Sequence, residues 1–183
     1  MPIRCASRKR LMGAISGICA VLLLGVGNSW GGGAGPREIQ LTLAGAPGGA
    51  LYGVQGEFAS GNNSSMTGRI AGFAWDYEED SYSEEGAGVL IGAGIRFYTD
   101  DLMKGTYFGL NLDYVSAEAD WYEYPSYGTV TVEGIVPGAT LGHKFLPGNQ
   151  NLSIEPHVFL AFLPGDIEAG VIIAVGVNVG MRF

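Results

Sequence analysis

Ser153, Glu155 and His157 follow one another at intervals of two, so on an extended strand all three share one face. A hydroxyl, a carboxylate and an imidazole are the groups of a hydrolytic triad. The spacing argues against that chemistry. Neighbours along one rail of a strand do not build an oxyanion hole, and His157 is expected to be a hydrogen-bonded interior residue. Glu78, Glu79, Asp80, Glu84 and Glu85 could offer oxygen ligands to Ca²⁺. They lack the alternating Asp spacing of a calcium loop and read as a solvated acidic segment. A third set is Glu38, Glu57, Arg96, Lys144, Glu155 and Arg182, three acids and three bases dispersed along the chain. Whether they meet depends on the elements that carry them. No catalytic residue, cofactor site or metal site is predicted.

Those elements are strands. In the final stretch, Val171, Ile173, Val175, Val177, Val179, Met181 and Phe183 alternate with residues that are small or polar, Ile172 excepted. A strand that crosses a bilayer needs about 9–11 residues, oily toward lipid and polar toward the lumen. Similar alternation marks eight segments, near 37–44, 50–59, 66–77, 87–98, 105–118, 131–145, 152–163 and 170–183. On the third, Ala71, Phe73, Trp75 and Tyr77 are assigned outward over Gly68, Gly72, Ala74 and Asp76. Short turns are expected at 60–65, 99–104 and 146–151. The acidic and aromatic stretches at 78–86 and 119–130 are expected as longer loops at the opposite end, the second as loop or strand extension. Pro137 and Pro156 each remove a ladder donor and should sit at strand ends or bulges. Trp75, Tyr77, Phe97, Phe108, Tyr114 and Phe145 are expected in aromatic girdles at the membrane interfaces.

Arg4, Arg8, Lys9 and Arg10 precede an apolar run from Leu11 to Val26, which reads as a signal peptide over residues 1–29. Both cysteines, Cys5 and Cys19, fall inside it. The rest of the chain then has six basic against eighteen acidic residues, a net charge of −12. This excludes nucleic acid as a partner, which requires a basic footprint.

Ile95-Arg96-Phe97-Tyr98, Lys104-Gly105-Thr106-Tyr107-Phe108-Gly109-Leu110 and Val177-Asn178-Val179-Gly180-Met181-Arg182-Phe183 resemble the small eight-stranded outer-membrane barrels of the OmpA kind. The resemblance implies an all-β fold, an eight-stranded antiparallel up-and-down transmembrane β-barrel over residues 37–183, preceded by the signal peptide. It implies residence in the bacterial outer membrane among lipid and lipopolysaccharide, most simply as a monomer. It also implies delivery by periplasmic chaperones to the barrel assembly machinery. Val177, Val179, Met181 and Phe183 would form the assembly signal; Asn178 stands where the family often has glycine. A barrel this narrow is filled by side chains. Glu38, Glu57, Arg96, Lys144, Glu155 and Arg182 are therefore expected as lumenal ion pairs that plug it, or alternatively gate a narrow channel. The His-x-Ser pattern of lipid A deacylase barrels is absent, because His143 and His157 are each followed two places on by Phe. The expected role is structural or surface-interacting and non-enzymatic; the alternatives are a lipid-active enzyme or a narrow channel for small solutes.

Overall fold

A computed structural model of the chain describes residues 37–101, 103–148, 151–163 and 170–183. The predicted signal peptide, with Cys5 and Cys19, and residues 164–169 lie outside the described residues. No helix among the described residues is long and apolar enough to cross a membrane.

Eight strands follow in order: β1 (Arg37–Ala46), β2 (Gly49–Ala59), β3 (Ser64–Glu79), β4 (Tyr82–Tyr98), β5 (Gly105–Glu123), β6 (Ser126–Lys144), β7 (Leu152–Leu163) and β8 (Gly170–Arg182). Each pairs antiparallel with its neighbours, and β8 pairs with β1 to close a barrel. At the seam Arg37 N donates to Phe183 O at 3.1 Å, and Phe183 N donates to Arg37 O at 2.9 Å. In hydrocarbon each unpaired backbone group costs several kcal/mol, so closure is a physical requirement. Following the ladder from Glu38 through Glu57, Thr67, Gly94, Asn111, Gly138 and Ala161 leads to Ile172. Glu38 pairs directly with Arg182, ten residues further along β8. That stagger tilts the strands by about 40° and sets a backbone radius of about 8 Å.

The outside is a belt of exposed apolar residues that includes Leu41, Leu43, Ile91, Leu112, Leu141 and Val175. Phe58, Phe97, Phe108, Phe145 and Phe183 ring its lower edge, where β1 begins and β8 finishes; Tyr52, Tyr114 and Phe162 mark the upper edge. The inside buries Glu38, Gln40, Gln55, Glu57, Asp113 and Asn178. This arrangement inverts that of a soluble protein and matches a lipid solvent.

Three expectations are corrected. The faces of β3 are exchanged: Met66 is 54% exposed while Ala71 is 5%, and Phe73 and Trp75 stack at 5.8 Å on the inward face. Arg69 lies on that same face and bonds to Asp113, whereas outward it would meet lipid at a cost of about 2–4 kcal/mol. Trp75 and Tyr77 therefore leave the predicted girdle. Secondly, the stretch at 78–86 is strand rather than loop, while 119–130 takes the strand-extension form of its two expected ones: only Asp80-Ser81 and Tyr124-Pro125 turn, the first with Asp80 at φ 46°. Thirdly, both prolines lie within strands, at gaps in the β6–β7 ladder. That ladder covers Gly138–Gly142, resumes only at a Phe145–Ile154 bridge, and skips the level of Pro156. Pro137 stands where it stops.

Candidate functional site

The lumen floor is built by alternation. Glu38 on β1, Glu57 on β2, Arg96 on β4, Lys144 on β6 and Glu155 on β7 each fall on an inward position near the lower edge. Lys144 Nζ lies 3.0 Å from Glu38 Oε2, 2.5 Å from Glu57 Oε2 and 3.3 Å from Glu155 Oε2. Arg96 bridges Glu57 Oε2 at 2.8 Å and Glu155 Oε1 at 2.9 Å, with its guanidinium 4.4 Å from the Tyr107 ring centre. Three carboxylates thus face two cations. Uncharged donors stabilise the remaining negative charge: Tyr98 Oη to Glu57 at 2.5 Å, Tyr107 Oη to Glu155 at 2.7 Å and Asn178 Nδ2 to Glu155 at 2.6 Å. Gln40 donates to Glu38 at 2.7 Å, and Ser65 and Ser153 donate to Glu57 and Glu38.

Arg182, the sixth of the predicted set, is half-buried at the lower rim and forms no ion pair with Glu38, Glu57 or Glu155 among the described residues. Its register partner Glu38 is already engaged by Lys144, Gln40 and Ser153. Space for the floor comes from glycine. A Cβ on Gly142 would stand 2.5 Å from Tyr107 Oη, and one on Gly180 would overlap Glu38 Oε1. Below the floor, fully buried Met103 packs against Tyr98 and Tyr107.

Above the floor, Arg69 Nε donates to Asp113 Oδ1 at 2.8 Å, and the guanidinium lies 4.4 Å from the Phe159 ring centre. Higher still, Ala44, Val136, Phe159, Ala161 and Ala174 form an apolar cluster. Asp113, Tyr98, Tyr107 and Arg69 stand outside the predicted set of lumenal ion pairs. Alternation held the signal: an inward Asp113 requires a cation, and Arg69 was the one central base left over.

Ser153, Glu155 and His157 do share a rail, but they form no relay. Ser153 bonds to Glu38, Glu155 is ion-paired to Arg96, and His157 Nδ1 lies 3.3 Å from the backbone oxygen of Glu155. Among the described residues no group of three or more His, Cys, Asp or Glu side chains could hold a metal ion. Of the predicted assembly residues, Val179, Met181 and Phe183 are exposed on the outer face of β8 and Val177 is half-buried.

The barrel continues beyond its belt. Tyr114 on β5 ends the outer apolar row, and beside it Ser116 Oγ donates to Glu133 Oε1 on β6 at 3.3 Å. Above that pair β5 and β6 run seven residues further to the Tyr124-Pro125 turn, a height of about 18 Å at this tilt. Residues 76–85 and 118–133 hold ten acids, and no Lys or Arg occurs between Arg69 and Arg96 or between Lys104 and Lys144. Within this region Trp75 Nε1 donates to Glu84 Oε1 at 2.6 Å. Tyr82 donates to Glu84 Oε2 at 2.5 Å, a bond that pushes its phenol up to about 12. Tyr77, bonded to Glu79, is raised by the same kind of contact.

No protein-family model and no curated protein sequence matches the chain. Solved structures do. Ail, the attachment invasion locus protein of Yersinia pestis, superposes with a TM-score of 0.54 at 13% identity, covering 81% of this chain and 99% of its own. Ail in complex with the heparin analogue sucrose octasulfate gives 0.52 at 13% identity, over 81% and 99%. The N-terminal β-barrel domain of Pseudomonas aeruginosa OprF gives 0.52 at 14% identity, over 83% and 100%. With its closed eight-stranded topology and lipid-facing belt, the chain has the fold of the small β-barrels of the bacterial outer membrane.

Proposed function

We propose that this protein is a non-enzymatic outer-membrane barrel whose filled lumen is a rigid pedestal for a surface-interacting sheet. The observation that carries the reading is the length of β4, β5 and β6, at 17, 19 and 19 residues. About 9–11 residues suffice to cross the membrane, so the excess serves something outside it. The lower end of the barrel, with the Arg37–Phe183 seam, faces the periplasm in this reading. The Val177, Val179, Met181 and Phe183 face of β8 is then the stretch offered to the assembly machinery after chaperone delivery.

The lumen favours a plug over a channel. The buried ion cluster, the Arg69–Asp113 pair and the apolar cluster above them occupy successive levels. Ail is seen with a sulfated ligand; a tall sheet with ten acids and no base repels such a ligand, so this chain's partner differs in charge.

The test is a variant in which Ala117–Val132 is replaced by a two-residue Asn-Gly turn. Heat-modifiable gel migration checks that the barrel still forms. Cells displaying the trimmed chain should lose adhesion to protein-coated surfaces relative to cells displaying the full chain. Equal adhesion, or stepwise ion currents from the purified barrel in planar bilayers, would overturn the reading.

A further inference from the structure

We propose that the upper edge of β6 takes up an extended segment of another polypeptide, alternately apolar and Lys/Arg-bearing, by strand addition. The inference rests on the surface-interaction reading and names the partner's chemistry.

The edge comes from unequal strand lengths. The β6–β7 ladder reaches its top pair at Gly138–Ala161, and β7 finishes two residues later at Leu163. β6 extends to Ser126, and from Ser126 to Val136 its ladder partners among the described residues are on β5 alone. A strand edge with unpaired N–H and C=O groups is a template for another strand. Proteins that avoid such pairing place Lys, Pro or a bulge on the edge. Residues 126–136 contain no Lys and no Pro, and Thr129-Val130-Thr131-Val132 has high β-propensity.

The two faces of the edge specify what would fit. Inward, Val130 and Val132 are 45% and 47% exposed, although their β5 partners Ala119 and Ala117 are 2% and 7% exposed. Among the described residues cover therefore stops at β6, and an added strand would bury these valines with apolar residues of its own. Outward stand Glu133 on β6 and Glu118 and Asp120 on β5, one strand spacing further from the edge. They lie within about 10 Å of an incoming outer face, close enough to favour cations there. Tyr124 and Tyr127 at the tip, 77% and 82% exposed, offer ring faces to the same cations. A second copy of this edge would set acid against acid, so a basic partner is the better fit.

The experiment uses the barrel in phosphatidylcholine nanodiscs, with empty discs as the blank. The probe is a fluorescent eight-residue peptide of alternating Lys and Val, followed by anisotropy. It should bind, and a Glu/Val peptide should bind about tenfold or more weakly, since a tenfold change needs only about 1.4 kcal/mol. Two further probes carry N-methyl groups on the lysines or on the valines. At least one should lose binding to the same extent, because one alternate set of N–H groups must face β6. The V130K/V132K variant, altered only at exposed positions, should also lose it. Equal binding of the parent and both N-methylated probes overturns strand addition. Equal binding of the Glu/Val peptide, or self-association of the barrel that the basic peptide cannot displace, overturns the choice of partner. If no probe binds, the inference fails, while the surface role stands or falls separately on the trimmed-hairpin cells.

Discussion

Arg69 on β3 reaches past β4 to grip Asp113 on β5, Nε donating to Oδ1 at 2.8 Å. β4 lies between them and allows the contact because Gly92 faces inward there: a Cβ on Gly92 would overlap Asp113 Oδ1. A salt link between second-neighbour strands ties three staves of the barrel into one unit.

Removing one partner leaves a buried charge. Arg69→Ala should destabilise the barrel by about 3–5 kcal/mol, while the double change Arg69→Leu with Asp113→Leu should recover most of that loss. Urea unfolding in detergent, followed by tryptophan fluorescence, checks both. An additive double variant would show that the pair is not coupled.

The floor predicts a contrast between three cations. Arg96→Ala and Lys144→Met each strip a buried carboxylate cluster of one of its two counter-charges, and should cost about 3–5 kcal/mol. Arg182→Ala should change stability by no more than about 0.5 kcal/mol. Heat-modifiable migration across a temperature series separates them, and equal shifts for Arg182 and Lys144 would restore Arg182 to the cluster.

Glycines on opposite faces should respond oppositely. Gly92→Ala must displace the Asp113 carboxylate and should cost about 1–3 kcal/mol. Gly68 has open space where a Cβ would stand, so Gly68→Ala should be neutral or stabilising by up to about 1 kcal/mol. The same unfolding assay measures both.

These positions also show what the chain discloses by itself. The eight strands, their order and the inward rows of seven of them follow from period-two alternation. β3 fails because its apolar and small residues nearly balance across the two faces, so only the charge of Arg69 breaks the tie. The tall hairpins were hidden by their composition. Acids and tyrosines there read as solvated loop, although Ala117-Glu118-Ala119-Asp120 and Thr129-Val130-Thr131-Val132 do alternate. The floor's composition was legible from parity. Its pairing was not: the register sets Arg182 beside Glu38, yet Lys144, Gln40 and Ser153 engage that carboxylate inside the lumen.

Tyr82 supplies a pH test outside the membrane. Its bond to Glu84 favours the protonated phenol in the folded state and raises it to about 12. The folded value lies above the ordinary value of about 10. This contribution to stability is therefore complete below about pH 10 and is lost as pH rises through 12. The phenolate absorbance difference between the parent chain and Tyr82→Phe should titrate near 12, and Glu84→Gln should bring it down toward 10. A difference curve centred at 10 in the parent would refute the bond.

Five charges on five separate strands impose an order of events on membrane entry. β1 and β2 bring two carboxylates and no cation to the floor, β4 supplies the first base, β6 balances the charge with Lys144, and β7 adds the third carboxylate. A partly threaded sheet would carry unpaired carboxylates into oil at a cost of several kcal/mol each, which disfavours a halfway species inside the bilayer. The same cost favours gathering the staves in a wet, sheltered place before the sheet enters the membrane.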